Sequence, residues 1–249
     1  MKHSTKKISK LFKVFCIGLA FTPIAIFADP IFPVENTDEE GFVSIFDGKT
    51  LNGWKGDPTY WSVKDGVLTG VVTPETLLQQ NSFIIWQGGT PRNFELKMQY
   101  RVSDKGNSGI NYRSVSYSPK GQKYALKGYQ LDIDGEGAWT GQNYEEKGRE
   151  WLALRGQMTQ IRTGKTPQVI SHLGDKEEMW NTINKNGWNE AHIIARDNVI
   201  IHLINGKVMS IIIDDDPDGR RMDGLIGVQV HVGPPMKIEY KNIRLKELK

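Results

Sequence analysis

Tyr129-Gln130-Leu131-Asp132-Ile133-Asp134 alternates apolar and polar residues one by one. Successive side chains of a β-strand point to opposite faces, so this stretch has one oily side and one side of amides and carboxylates. Ile110-Asn111-Tyr112-Arg113 and Val228-Gln229-Val230-His231-Val232 repeat the pattern. Ile110, Tyr112, Tyr129, Leu131, Ile133, Val228, Val230 and Val232 are therefore expected to fill a core. Asn111, Arg113, Gln130, Asp132, Asp134, Gln229 and His231 are expected to line the other face. An ordinary solvated sheet face is rich in Lys, Glu and Thr. Amides, carboxylates, an imidazole and a guanidinium suit the hydroxyls of a polyol instead.

The neighbouring sequence is built from the same kind of unit. Phe42 to Phe46 is a short strand before the turn Asp47-Gly48, and Lys64-Asp65-Gly66 turns between Trp61-Ser62-Val63 and Val67-Leu68-Thr69. Phe94 to Arg101 alternates with one wet face. His192 to Ile213 reads as two hairpins turning at Asp197-Asn198 and Asn205-Gly206, and Lys237 to Leu248 supplies a last strand. No amphipathic helix longer than two turns is expected. Many short strands with turns between them predict an all-β fold, a two-sheet jelly-roll sandwich. Gly135 to Asn186 is polar and rich in Gly and charge, and is read as loops over the rim of the polar face.

The first 28 residues have the layout of a secretory signal peptide: five lysines, an apolar run from Val14 to Phe27, and Ala28 as the expected cleavage point. Ala20 and Ala25 are alternative cleavage points, and an uncleaved anchor is the rival reading. Residues 29–40 read as an extended leader, and residues 41–249 as one domain, which is enough chain for a core of its own. The five signal lysines exceed the whole +3 charge of the chain, so the remainder carries −2. That remainder has no basic stripe for nucleic acid and no polybasic membrane patch, so neither nucleic-acid binding nor stable membrane insertion after cleavage is expected. The only cysteine, Cys16, lies inside the signal, so the mature chain holds no disulfide and no thiol-ligated metal. These features predict an exported protein, periplasmic or secreted.

Five segments follow one another in order: FDGKTLNGW (46–54), WSVKDGVLTG (61–70), GNSGINYR (106–113), GYQLDID (128–134) and GLIGVQVHVGPPMKIEYKNIRLKEL (224–248). Together they resemble the 3-keto-disaccharide hydrolase family. The resemblance implies a sandwich of the concanavalin A-like lectin/glucanase type, and exported enzymes acting on an oxidised sugar or glycoside. The ketone at C3 of such a sugar acidifies the C2 hydrogen. A base removes it, the C1 substituent leaves, and water adds. This needs a base, an enolate stabiliser and an acid for the leaving group, whereas ordinary glycosidases need two carboxylates flanking C1.

His231 is the first candidate for proton transfer, because its ordinary pKa near 6.5 suits neutral pH. Asp132 is an alternative base or ligand, and Glu145 the candidate general acid. Arg113 could hold the enolate oxygen or pair with Asp132. Asn111, Gln130 and Gln229 would position the substrate, with Tyr144 and Arg149 closing over the face. Trp139 and Trp151 are candidate sugar-stacking platforms or core residues. His172, His192 and His202 are expected to be structural. A divalent cation is possible at Asp132, Asp134, Glu136 and His231, while the denser run Asp214-Asp215-Asp216 with Asp218 reads as a solvated turn. A non-catalytic carbohydrate-binding module is the main rival, and a structural surface protein with an open, flat face the third.

Overall fold

The computed structural model describes Met1, residues 41–118 and residues 121–249. Apart from Met1, the expected signal peptide and leader lie outside the described residues. Among the described residues the strands are β1 (Val43–Ser44), β2 (Trp54–Lys55), β3 (Trp61–Lys64), β4 (Val67–Val72), β5 (Ser82–Trp86), β6 (Phe94–Val102), β7 (Asn107–Ser116), β8 (Leu126–Asp134) and β9 (Asn143–Glu146). They continue with β10 (Glu150–Ala153), β11 (Gln157–Ile161), β12 (Gln168–His172), β13 (Asn189–Arg196), β14 (Val199–Ile204), β15 (Lys207–Asp214), β16 (Leu225–Val230) and β17 (Met236–Glu247). One short helix, α1 (Lys176–Trp180), is capped by Asp175, whose side chain accepts from the Glu177 and Glu178 amides.

The strands form two sheets. The larger runs β12-β11-β15-β14-β13-β6-β17-β4-β3, with β1 pairing off β17; the smaller runs β10-β9-β8-β7-β16-β5-β2. The alternation of the opening stretch decides what lies between them. Ile110, Tyr112, Tyr129, Leu131, Ile133, Val228 and Val230 are all buried in the main apolar core. Val232 is the exception: it lies past the end of β16 and is exposed. Phe94, Leu96, Met98, Tyr100, Ile193, Ile212 and Tyr240 meet them from the larger sheet.

This core is not wholly oily. The Tyr112 ring lies 5.8 Å from that of Tyr129, nearly parallel, and its hydroxyl is 2.6 Å from His202 Nε2. His202 Nδ1 lies 3.2 Å from the Gln142 carbonyl, which can only accept. Nδ1 therefore carries the proton and Nε2 accepts from Tyr112. Burial pushes the His202 pKa down to about 3, so it stays neutral and holds the sheets together as a hydrogen-bonding core residue.

Turns fall where the sequence places them. Asp197 and Asn205 adopt positive φ between β13, β14 and β15, and Asp65 does so between β3 and β4. The stretch from 135 to 186 differs from expectation: it contains β9 to β12 as well as α1. Its strands carry no apolar alternation because their buried residues are often polar, as with Asn143, Glu145 and Glu146 on β9. β11 lies parallel to β15, and β9 and β10 extend the smaller sheet.

Candidate active site

Cross-strand register brings distant residues onto one row of the smaller sheet. Lys55, Ile85, Gly227, Asn111, Gln130, Tyr144 and Trp151 are successive neighbours from β2 to β10. They share the face turned away from the core, since their chain neighbours Ile110, Leu131 and Val228 point into it. One half of this face is apolar, where Phe83, Ile85 and Leu126 form a cluster separate from the core. The other half opens as a cleft of about 440 Å³ lined by Gln130, Asp132, Tyr144, Glu146, His231 and Asn107, with Trp139, Trp151, Asn81 and Lys147 around it. A smaller lobe of about 260 Å³ shares Asn107, Trp139, His231 and Val232, and adds Lys105, Glu136 and Pro234.

Asp132 sits at the centre on β8. Gln130 Nε2 donates to one of its oxygens at 2.6 Å and Gln142 Nε2 to the other at 2.9 Å. Gln229 in turn donates to Gln130 Oε1 at 3.2 Å. Gly109 makes this relay possible, because a Cβ there would lie 2.3 Å from Gln130 Cδ. Burial raises the Asp132 pKa to about 7; the two amides oppose the shift, and Glu146 and Asp134 add to it. A carboxyl poised there can give or take a proton near neutrality.

His231 follows β16. Its Nδ1 is hydrogen-bonded to the Val232 carbonyl, which leaves Nε2 as the basic nitrogen of the neutral ring. Burial lowers its pKa, against the opposing pull of that carbonyl and of Glu146. Glu146 is held loosely, with Asn81 Nδ2 at 3.4 Å and Lys147 Nζ at 3.5 Å. Tyr144 is pushed up to about 12, first by burial and then by Glu146, so its hydroxyl stays protonated and able to donate.

The structure thus gathers His231, Asp132, Gln130 and Tyr144 and redistributes the other expected site residues. Asn111 and Gln229 belong to the same sheet face but are fully buried beneath its surface, where Leu126 closes over Gly227. Gln229 reaches the cleft only through Gln130, and neither amide atom of Asn111 has a hydrogen-bond partner among the described residues. Arg113 is away from the cleft. A bulge between Tyr112 and Val115 and a positive φ of 45° turn it aside, and its guanidinium binds the Arg92 and Asp197 carbonyls at 2.6–3.0 Å.

Glu145 and Arg149 are also displaced. Glu145 points to the opposite side of β9 from Tyr144, and its carboxylate takes Arg149 Nε at 2.7 Å. Arg149 also binds Asp214 at 2.7 Å and Asp216 at 3.3 Å. Asp214 and Asp216 are buried partners of this cluster, not members of a solvated turn. Glu146 was missed by sequence reasoning, since nothing in Asn143-Tyr144-Glu145-Glu146 fixes which glutamate faces outward.

Asp134 supports the cleft from its rim, its side chain accepting from the Ala138, Trp139 and Thr140 amides. This ties down the loop that carries Trp139, which stacks on Trp151 at 4.8 Å. Among the described residues no group of three or more His, Cys, Asp or Glu gathers as a cation cage, and none of their helices is long and apolar enough to cross a membrane.

Comparison with known proteins places this geometry in context. Over 90 residues the chain is 37% identical to a 3-keto-disaccharide hydrolase of Bacteroides thetaiotaomicron; the aligned part is 33% of this chain and 31% of that relative. A candidate glycosyl hydrolase from Parabacteroides distasonis superposes with a TM-score of 0.57 at 20% identity, over 88% of this chain and 99% of the other. A Bacillus subtilis protein of galectin-like fold gives 0.52 at 13% identity, over 79% and 90%. The carbohydrate-binding module CBM66 of the same organism gives 0.50 at 13% identity, over 78% and 96%. These likenesses carry the sandwich fold alone. The 3-keto-alpha-glucoside-1,2-lyase-like domain matches residues 41–246, nearly the whole of the described sandwich, and the chain belongs to that family.

Proposed function

We propose that this protein is an exported hydrolase of 3-keto-glycosides, working by elimination at C1–C2 followed by hydration. The observation that carries this reading is the meeting of His231, Asp132 and Glu146 in one cleft with an aromatic wall. His231 Nε2 takes the C2 proton, and the electron pair spreads onto the C3 carbonyl oxygen as an enolate. The C1–O bond then breaks, the pair forms the C1=C2 double bond, and the departing oxygen leaves with its own pair. Water adds across that bond, hydroxyl to C1 and hydrogen to C2, giving the free 3-keto sugar and an alcohol.

Asp132, able to hold a proton near neutrality, supplies it to the departing oxygen. Glu146 orients the attacking water, a role that fits an acceptor held, among the described residues, by one distant amide and one distant ammonium. Gln130 keeps Asp132 in place. The names of the family and of its curated relative, one a lyase and the other a hydrolase, agree with an eliminating step followed by a hydrating one.

Incubation with methyl 3-keto-α-D-glucopyranoside tests the reading. The protein is expected to release 3-ketoglucose, and His231→Ala to slow release by about a hundredfold or more. Undiminished release by that variant would remove His231 from the mechanism. Sugar binding without release by the wild type would make the protein a carbohydrate-binding module.

A further inference from the structure

We infer that the aromatic side of the cleft receives the leaving group, and that among 3-keto-α-glycosides this protein favours those whose aglycone carries a flat apolar face. The inference rests on the reading of His231 as the C2 base. In the chair of a 3-keto-α-glucoside the C2 hydrogen is axial on one face of the ring, and the C1 oxygen is axial on the other. The base and the departing oxygen therefore act from opposite sides, and a cleft that positions one positions the other.

Strand order sets His231 apart from Tyr144 and Trp151 across the cleft. His231 follows β16, Tyr144 and Trp151 stand on β9 and β10, and Asp132 lies between them on β8. A ring that presents its C2 hydrogen to the His231 side turns its C1 oxygen to the aromatic side. What waits there is an unusual amount of uncovered ring. Trp139 and Trp151 stack at 4.8 Å and 25°, Trp151 meets Tyr144 at 4.8 Å and 59°, and the two tryptophan residues remain 41% and 42% exposed. The platform is also braced, because the Asp134 carboxylate accepts from the Trp139 amide at 3.0 Å. Aromatic surface that the fold leaves uncovered gains most from a partner with an apolar face of its own.

The test compares benzyl with methyl 3-keto-α-D-glucopyranoside, whose departing oxygens are both alkoxide-like. Wild type is expected to cleave the benzyl compound with kcat/KM about tenfold higher. Trp139→Ala and Trp151→Ala are each expected to shrink that ratio to about twofold, mainly through KM for the benzyl compound. Trp139→Phe and Trp151→Phe should keep most of it, which holds the test open should an alanine variant not fold. Equal cleavage of the two compounds by wild type would overturn the leaving-group assignment while leaving the reaction in place. So would an undiminished ratio in both alanine variants, or a fall in kcat shared equally by the two substrates. Cleavage of neither compound by wild type would overturn the reaction itself, and this assignment with it.

Discussion

Glu145 and Glu146 are consecutive residues of one strand, and the sheet sends them into opposite surroundings. Glu145 turns towards Arg149, which is braced in turn by Asp214 and Asp216. Although burial works against its charge, Asp214 and Glu145 hold Arg149 more firmly protonated than usual. Glu146 turns into the cleft, where its carboxylate adds to the burial that discourages ionisation of Asp132. Among the described residues no guanidinium lines that side. Charge that is matched locks a structure in place, and charge that is left short of partners keeps protons mobile.

That contrast can be broken experimentally. The largest effect concerns pH. The folded-state pKa of Asp132, about 7, lies above the unfolded value of 3.8, so the native state binds the extra proton between those limits. Stability should therefore fall as pH rises from about 4 to about 7, by up to about 4 kcal/mol. Urea unfolding across this range should show a flatter profile for Asp132→Asn; an unchanged slope would mean that the cleft carboxyl is not strained.

Arg149→Met strands the carboxylates that the guanidinium serves and should cost about 3 kcal/mol in the same assay. A loss below about 0.5 kcal/mol would show the cluster to be no more than a surface network. Glu146→Gln should cut kcat on a 3-keto-glycoside by about a hundredfold while moving Tm by only a few degrees. Glu145→Gln should do the reverse, and a matching pair of outcomes would erase the distinction between the neighbours. Thr163 donates to Asp216 at 2.8 Å, and Thr163→Val should lower stability by about 1 kcal/mol without altering kcat.

The sandwich was legible because alternation is a local signal. The inward residues of β7, β8 and β16 could be named from sequence, since Ile, Leu, Val and Tyr at every second position leave one phase for the strand. The same phase put Gln130 and Asp132 into the cleft and His231 at its edge. Arg113 escaped that logic because a single bulge resets the phase, and no residue type announces it. Glu146 and Gln142 escaped for a different reason: β9 buries polar residues on its inner side, so its two faces look alike in sequence. Arg149 and Asp214, 65 residues apart, are joined only by the packing of one sheet on the other.

Gly109 shows how far the effect of a missing methyl group can reach. Its bare α-carbon is the space in which the Gln130 amide lies on its way to Asp132. Alanine there would push that amide aside, and Asp132 would lose a donor that works to keep it ionised. The working pH of the cleft could then shift upward although no titrating group had been replaced. Attempts to retune this protein for alkaline or acidic conditions can thus begin at a position that carries no functional group at all.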